Sequence, residues 1–442
     1  MLKVAKFGGS SLADVKQFEK VRSIVEADPA RKVIVVSAPG KRFSKDNKIT
    51  DLLYLCYAHI KYGVDYRPML ESIRERYREI VDGLGINFDL DAAFAEIESA
   101  LGSDASESYL VSRGEYLCAR ICAKYLGYEF VDAKDTVFLN YDGSIDTDRT
   151  YEAIKLAYSK SSGRIVVPGF FGSLDDGEIC LMSRGGSDIT GAIFAAALDA
   201  DIYENWTDVP GILMADPSIV KDPYPIPKIT YDELRELTYM GAKVLHEASV
   251  YPVKVAGIPV NIRDTNNPEA DGTLIDESFE NDDLKDDKFY ITGITGKKHY
   301  TIIDVKKDNL SLDAISTVMQ VLVSRGIKVE QVNSGLDVFS VILENGVNKQ
   351  SVYSIAAEIE KLTGGSVKIS EGISMIACVS RRMVFRSGIS GLIFGALGEN
   401  DINIRLISQG ARELNILIGV ADEDCDRTVQ VLYDSFTKRG NN

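Results

Sequence analysis

Lys6-Phe7-Gly8-Gly9-Ser10-Ser11 and Arg184-Gly185-Gly186-Ser187-Asp188 each lie between an apolar strand and a helix, and these two glycine clusters decide the reading of the chain. A Gly-Gly pair lets main-chain N–H groups approach an anion without interference from Cβ. The helix that follows aims its unpaired N–H groups and positive dipole end at the same point. Leu2 to Phe7 reads as a buried strand, and Ser11 to Val25 has helical periodicity through Leu12, Val15, Phe18, Val21, Ile24 and Val25. The second cluster follows a strand expected over Glu178 to Met182 and opens a helix expected over Ile189 to Leu198. One such turn is more often a simple chain reversal. Two, each with a cation and a hydroxyl, point to phosphoryl transfer.

Other phosphate-binding patterns fail. A P-loop requires Gly, four residues and then Gly-Lys-Ser/Thr, but Gly296-Lys297 is followed by Lys298, and position 291 is Ile. The nearest approach to a dinucleotide fingerprint, Gly83 with Gly85, has Phe88 where a third glycine belongs.

At 442 residues the chain has room for two or three domains. Fifty Lys and Arg face 66 acidic residues, and the net charge of -16 disfavours nucleic-acid partners and acidic membrane surfaces. Small substrates are expected instead. No signal segment and no run of membrane-spanning length is seen, so the expected location is cytoplasmic. Cys56, Cys118, Cys122, Cys180, Cys378 and Cys425 lack zinc spacing, although Cys118 and Cys122 share a helix face. They read as buried thiols, and no metal site is assigned.

Up to about residue 275, strands (Lys32 to Ser37, Arg164 to Pro168, Ile202 to Trp206, Ile258 to Ile262) alternate with amphipathic helices. This predicts a three-layer α/β domain on a mostly parallel sheet, with Asp65 to Leu101 forming a peripheral helical pair. The acidic run Asp276 to Lys288 marks a boundary. Beyond it, a helix (Ser311 to Ser324), two strands (Ile327 to Val332, Val338 to Leu343) and a helix (Gln350 to Leu362) are followed by the same order over Ser390 to Glu399, Ile402 to Ser408, Leu414 to Val420 and Asp424 to Phe436. The offset of about 75 residues predicts two copies of a βαββα unit.

In these motifs the chain resembles the aspartokinases within the amino acid kinase superfamily. The resemblance rests on KFGGSS at 6–11, VSAPG ending at Gly40 with Thr50-Asp51 after it, and SRGE at 112–115. It continues through RGGSD at 184–188, WTDVPGI at 206–212 and GAKVLH at 241–246. It implies a kinase domain over 1–285 and two α+β, ferredoxin-like (βαββαβ) ACT units over 286–370 and 371–442. It also implies transfer of the γ-phosphoryl of ATP, with Mg²⁺ carried by the nucleotide, to the side-chain carboxylate of L-aspartate. A carboxylate with a pKa of about 4 is already an ionised nucleophile, so the site need only hold two anions together and neutralise charge.

The resemblance also implies roles. Lys6 would reach the β- and γ-phosphates while Phe7, Gly8, Gly9 and Ser10 donate around them, and Asp188 would orient the catalytic lysines, Lys6 and Lys243. Thr207, Asp208, Gly211, Asp216 and Val244 would complete the nucleotide side. Arg184 would clamp an aspartate carboxylate by two-point guanidinium pairing. Glu115 would hold the substrate ammonium, with Thr50, Gly186 and Ser187 beside the carboxylates. Read without the family, Asp188 could simply be a helix cap, and Arg184 and Glu115 a surface ion pair. Glu330, Asn333, Ser334, Asn403 and Ile404 are the expected effector contacts, the effector being lysine or threonine, in a homodimer or larger assembly.

Departures from the family pattern are Leu213 and Ser218 where Tyr and Arg often stand, Ser183 before Arg184, Leu310-Ser311-Leu312 at a helix start, and Gly335. The alternatives are another amino acid kinase, acting on glutamate, acetylglutamate or carbamate, and a non-catalytic amino-acid sensor.

Overall fold

Period-two alternation along the first strand sets the plan of the N-terminal unit. In β1 (Lys3–Phe7), Ala5 and Phe7 enter one large apolar cluster while Lys6 faces the opposite side, and Val4, Ala5, Lys6 and Phe7 are all buried. Such a strand is covered on both faces, as parallel sheets require. The computed structural model describes residues 1–102, 106–183, 185–242, 245, 247–281, 290–308, 311–343, 348–410, 412 and 414–439. Most of the acidic run expected to mark a boundary, 282–288, lies outside the described residues. The chain divides into one unit of Met1–Ile212, Pro225–Tyr231 and Val244–Phe279 and a second of Leu213–Tyr224, Asp232–Lys243 and Glu280–Asn442.

In the first unit β1 is followed by α1 (Val15–Ala27), β2 (Arg31–Val36), α2 (Ile49–Lys61), α3 (Arg67–Leu84), α4 (Leu90–Leu101), α5 (Glu107–Leu126) and β3 (Glu129–Phe130). Next come α6 (Thr147–Lys160), β4 (Ile165–Pro168), β5 (Phe171–Ser173), β6 (Ile179–Leu181), α7 (Gly186–Ala197) and β7 (Ile202–Thr207). The remainder is β8 (Lys228–Ile229), α8 (Tyr231–Tyr239), of which all but the first residue belongs to the second unit, α9 (Glu247–Ala256), β9 (Val260–Asp264) and β10 (Thr273–Ile275). Among the described residues eight strands form one sheet in the order β3-β4-β2-β1-β7-β9-β10-β8, parallel except where β10 meets β9. The expected mostly parallel α/β architecture is what the structure has.

Three local differences from the sequence reading have physical causes. The helix after the first glycine cluster is interrupted: Gly9–Leu12 is a single 3-10 turn, and α1 starts afresh because Asp14 caps it, accepting from Gln17 N at 3.0 Å. The strand before the second cluster is not in the main sheet. It pairs antiparallel with β5 in a hairpin whose turn carries Gly177 at φ 82°. The helices of 65–101 are not peripheral in packing, since Leu70, Ile73, Tyr77, Phe94 and Ile97 join the same cluster as Phe7 and Phe18.

A charged residue lies inside the sheet at Glu204, 1 % exposed in the middle of β7. Arg31 grips it with Nε at 2.7 Å and Nη2 at 3.2 Å, Trp206 donates its indole N–H at 2.9 Å, and Lys3 stands at 3.3 Å. Burial alone would raise this carboxyl, but Arg31, Trp206 and Lys3 outweigh it and hold it below its ordinary value.

In the second unit, β11 (Gly293–Lys306) and β14 (Ser366–Val379) are the long strands. Between and beyond them lie α10 (Leu312–Ser324), β12 (Val329–Ser334), β13 (Val338–Leu343), α11 (Lys349–Thr363), α12 (Ile389–Glu399), β15 (Leu406–Ser408), β16 (Asn415–Ala421) and α13 (Cys425–Arg439). The expected repeat is present as α10-β12-β13-α11 and α12-β15-β16-α13. Its flanking strands are shared: Thr301–Lys306 of β11 pair with β13, while Gly293–Lys297 pair with the end of β14 that also carries β16. The register shifts between Lys297 and Ile302, where His299 has φ 73°, let one strand serve both halves. Among the described residues no helix is long and apolar enough to cross a membrane.

Replacing Glu204 with Ala leaves Arg31 buried without its carboxylate and is expected to destabilise the fold by about 3–5 kcal/mol. Urea denaturation measures this, and a loss below ~1 kcal/mol would contradict the role given to the pair.

Candidate active site

The carboxyl ends of β1, β2, β4 and β7 bring the two glycine clusters to one edge of the sheet, where open α/β sheets bind ligands. Gly8 N donates to Trp206 O at 3.0 Å and Ser37 N to Phe7 O at 3.1 Å, which ties the first turn to both neighbouring strands. The next glycine is needed for space. A Cβ on Gly9 would stand 2.8 Å from Ala38 O, and one on Gly40 would stand 2.6 Å from Gly9 C. That closeness permits the bond from Gly40 N to Gly9 O at 2.7 Å.

Lys6, 7 % exposed, projects from the far face of β1 and meets Asp188 Oδ1 at 2.6 Å. Asp188 is the third residue of α7, whose N-cap is Gly185 at φ 80° and which has no side-chain cap bond. The carboxylate is therefore not a cap. It accepts from Lys6 and, at 2.9 Å, from Asn205 Nδ2. Ser187 is buried beside it, where a Cβ on Gly169 would come within 2.6 Å of Ser187 Cβ, and Gly186 is packed against Met182 and Phe170.

Glu115 occupies α5, 4 % exposed. The main-chain N–H of Ala38 donates to its carboxylate, while Oε2 is buried without a hydrogen-bond partner. Burial pushes this carboxyl up to about 7, against the smaller lowering effect of the Ala38 N–H. A buried acceptor of this kind calls for a cationic donor. Thr50, half-buried, sits in the first turn of α2, and that turn is held to the same loop by Ile49 N bonding Pro39 O at 3.2 Å. The loop over 37–40 thus joins the Gly-Gly turn, Thr50 and Glu115.

On the other flank, Thr207 ends β7 and its carbonyl accepts from Thr265 N at 2.8 Å. Asp208 is exposed beside it, and Thr207 Oγ1 donates to Asp208 Oδ1 at 3.2 Å. Gly211 has φ 115°, and a Cβ there would meet Thr273 Oγ1 at 2.5 Å, so this turn admits glycine for conformation and space alike. Asp216 belongs to the second unit, where it accepts from Ser218 N at 2.8 Å and from Ser218 Oγ at 2.6 Å. Arg184, Lys243 and Val244 lie outside the described residues.

In the second unit Glu330, Asn333 and Ser334 lie on β12, with Asn403 and Ile404 before β15. Glu330 and Gln331 line a cavity of about 610 Å³ together with Tyr239, Ser408 and Arg412, and the other four expected effector contacts do not line it. Glu330 Oε1 is buried without a hydrogen-bond partner, with Lys328 Nζ 3.6 Å away.

Sequence reasoning missed Asn205, Tyr203 and the Ala38 N–H. The signal for the first two is a pair of polar-tipped residues two apart on a strand otherwise read as apolar. Tyr203 OH donates to Asp188 O at 3.1 Å.

Two glycine turns at one sheet edge, a buried lysine paired with Asp188 and a buried carboxylate oxygen without a partner have the make-up of a phosphotransferase site for a small ionised acceptor. In agreement, residues 1–264 match the amino acid kinase family and residues 376–436 the ACT domain. Aspartokinase 3 of Bacillus subtilis is 35 % identical, covering 98 % of this chain and 98 % of its own. The crystal structure of Clostridium acetobutylicum aspartate kinase superposes with a TM-score of 0.92 at 43 % identity, over 98 % of this chain and 100 % of that one. Aspartokinase III of E. coli, solved in complex with aspartate and ADP, gives a TM-score of 0.74 at 25 % identity, over 98 % and 99 %. The chain belongs to the aspartokinases of the amino acid kinase family.

The raised Glu115 carboxyl has a consequence for stability. Its folded value of about 7 exceeds the ordinary 4.5, so the folded state holds the extra proton between these values and stability is lost as pH rises through that window. Glu115→Gln removes the dependence and is expected to be the more stable form at pH 8 by on the order of 3 kcal/mol. Denaturation at pH 5 and pH 8 checks it, and equal pH slopes for the two proteins would contradict the assignment.

Proposed function

We propose that this chain transfers the γ-phosphoryl group of MgATP to the side-chain carboxylate of L-aspartate, giving 4-phospho-L-aspartate and ADP, the entry step to the amino acids made from aspartate. The observation that carries the reading is the buried Lys6–Asp188 contact beneath the Gly8-Gly9 turn, at the same sheet edge as the unpartnered oxygen of Glu115. The aspartate and ADP held by the E. coli relative support the choice of substrates.

In this reading the acceptor carboxylate needs no base, because it is ionised at neutral pH. The bond from the acceptor oxygen to γ-phosphorus forms as the bond from γ-phosphorus to the β,γ-bridging oxygen breaks, and ADP leaves with the electron pair. Lys6 neutralises charge on the transferring group, and the main-chain N–H groups of Gly9 and Ser10 hold the phosphates; the N–H of Gly8, expected to join them, is instead taken by Trp206 O, so Gly8 serves the turn by its shape. Asp188 keeps Lys6 in place before the nucleotide arrives and would separate it from Lys243. Glu115 takes the substrate's ammonium, Arg184 a carboxylate, and Thr50 and Ser187 hydrogen-bond beside them. Thr207, Asp208, Gly211, Asp216 and Val244 serve the nucleotide. No cluster of three or more His, Cys, Asp or Glu able to hold a metal ion occurs among the described residues, and in this reading Mg²⁺ comes with the ATP phosphates as its main ligands.

We read the ACT region as a sensor of an end-product amino acid. A relative in E. coli is described as lysine-sensitive, and its enzyme has been solved with lysine and aspartate. Glu330, Asn333, Ser334, Asn403 and Ile404 are the proposed contacts, in a homodimer or larger assembly. The six free cysteines agree with a reducing, cytoplasmic setting.

A hydroxamate or coupled ATPase assay across aspartate, glutamate and carbamate tests the reaction. Turnover is expected with aspartate, and Lys6→Ala or Asp188→Ala is expected to lower kcat at least about a hundredfold with folding retained. Preference for another acceptor, or near-normal rates in both variants, would overturn the reading. Separately, titration with lysine and threonine is expected to find one that binds and shifts aspartate affinity with a coupling of about 1–3 kcal/mol. Calorimetry showing no binding of either would leave the ACT region without a sensing role for them.

A further inference from the structure

One carboxylate in the site is fixed by more than its lysine. Asp188 Oδ1 accepts from Lys6 at 2.6 Å and from Asn205 Nδ2 at 2.9 Å, whereas Oδ2 has no partner among the described residues. Both Asn205 and the residue two before it, Tyr203, project from one face of β7 onto the first turn of α7. Tyr203 bonds the main-chain carbonyl of Asp188 and Asn205 bonds its side chain. The helix lies directly against Tyr203, since a Cβ on Gly191 would meet the Tyr203 hydroxyl at 2.7 Å. Asn205 itself is 4 % exposed, on a strand paired by backbone bonds to β1 and β9 on its two sides.

A primary amide buried in a parallel sheet is costly unless its hydrogen bonds are made. Leucine or isoleucine would fill the same space at less cost, so the amide needs a reason. Donation to Oδ1 supplies one. It fixes the carboxylate plane and saturates the oxygen shared with Lys6, and it does so without adding charge that would compete for the ammonium.

We propose that Asn205 is a positioning residue for phosphoryl transfer: it locks Asp188 so that Oδ1 holds Lys6 in one fixed geometry toward the phosphates. The inference rests on the reading of Lys6 and Asp188 given above. Tyr203 sets the height of the turn, and Asn205 sets the rotation of the carboxylate. A loss confined to the chemical step follows, since the amide is buried and acts through Asp188.

Three variants test it, each measured for kcat, both KM values, the pH profile of kcat and Tm. Asn205→Leu keeps the volume and removes the donor; kcat is expected to fall about tenfold or more, with both KM values within about threefold and Tm within a few degrees. Asn205→Asp keeps the shape but sets a second carboxylate against Asp188, and the acidic limb of its kcat profile is expected to move up by about one pH unit or more. Asp188→Asn is the reference arm and is expected to be nearly inactive. Wild-type kcat in Asn205→Leu, or an unmoved profile in folded Asn205→Asp, with Asp188→Asn inactive, overturns this inference alone. Wild-type kcat in Asp188→Asn overturns the reading beneath it as well.

Discussion

A lysine ammonium that is almost wholly removed from water has to be neutralised before any phosphate reaches it, and the contact of Lys6 with Asp188 meets that requirement. Much of the first unit's detail follows. Lys6 can point into the site because the opposite face of β1, through Ala5 and Phe7, is taken by the main apolar cluster. Asp188 can reach it because α7 starts at Gly185 in a conformation open to glycine, which sets the carboxylate inside the first turn, not at its cap. The pair is short, and both partners are only slightly exposed, so its geometry depends on the strand and helix that carry it.

The other end of the site has the opposite deficit. Glu115 is an acid held out of water, with main-chain N–H groups, that of Ala38 foremost, on its carboxylate and one oxygen left over. Such a group favours its neutral form until a cation comes. The two halves thus ask for complementary things: anionic phosphate at the glycine turns and an ammonium near α5. An amino acid with a second carboxylate carries the ammonium and presents an acid toward the phosphate. The loop over 37–40 is the physical link between them, since it packs on Gly9, supports the start of α2 and donates to Glu115.

What the sequence makes legible is whatever depends on a local pattern. The glycine pairs mark two turns, alternation and apolar runs mark β2, β4 and β7, and the second repeat of helix-strand-strand-helix is visible because its order returns at a fixed spacing. What depends on distant partners is not legible. Asn205 looks like an odd residue in a strand until Asp188 is beside it. The strand at Ile179–Leu181 is apolar enough for the main sheet, yet its nearest partner is the three-residue β5 across an Asp-Asp-Gly turn. The 3-10 break before α1 turns on a single side chain, Asp14, capping a helix whose apolar periodicity runs straight through the interruption. Likewise nothing in the order of residues announces that Leu213–Tyr224 and Asp232–Lys243 belong with the C-terminal unit.

The shared strands of that unit carry a mechanical implication. Because β11 and β14 each run fourteen residues and lend one end to each half, the two repeats are not beads on a string. Neither half owns a complete set of strands, so neither can melt, slip or be excised without fraying its twin. A rotation introduced at one end of these ribbons is delivered to the other through continuous backbone, bent at the bulge around His299 and, on the facing strand, at Gly372.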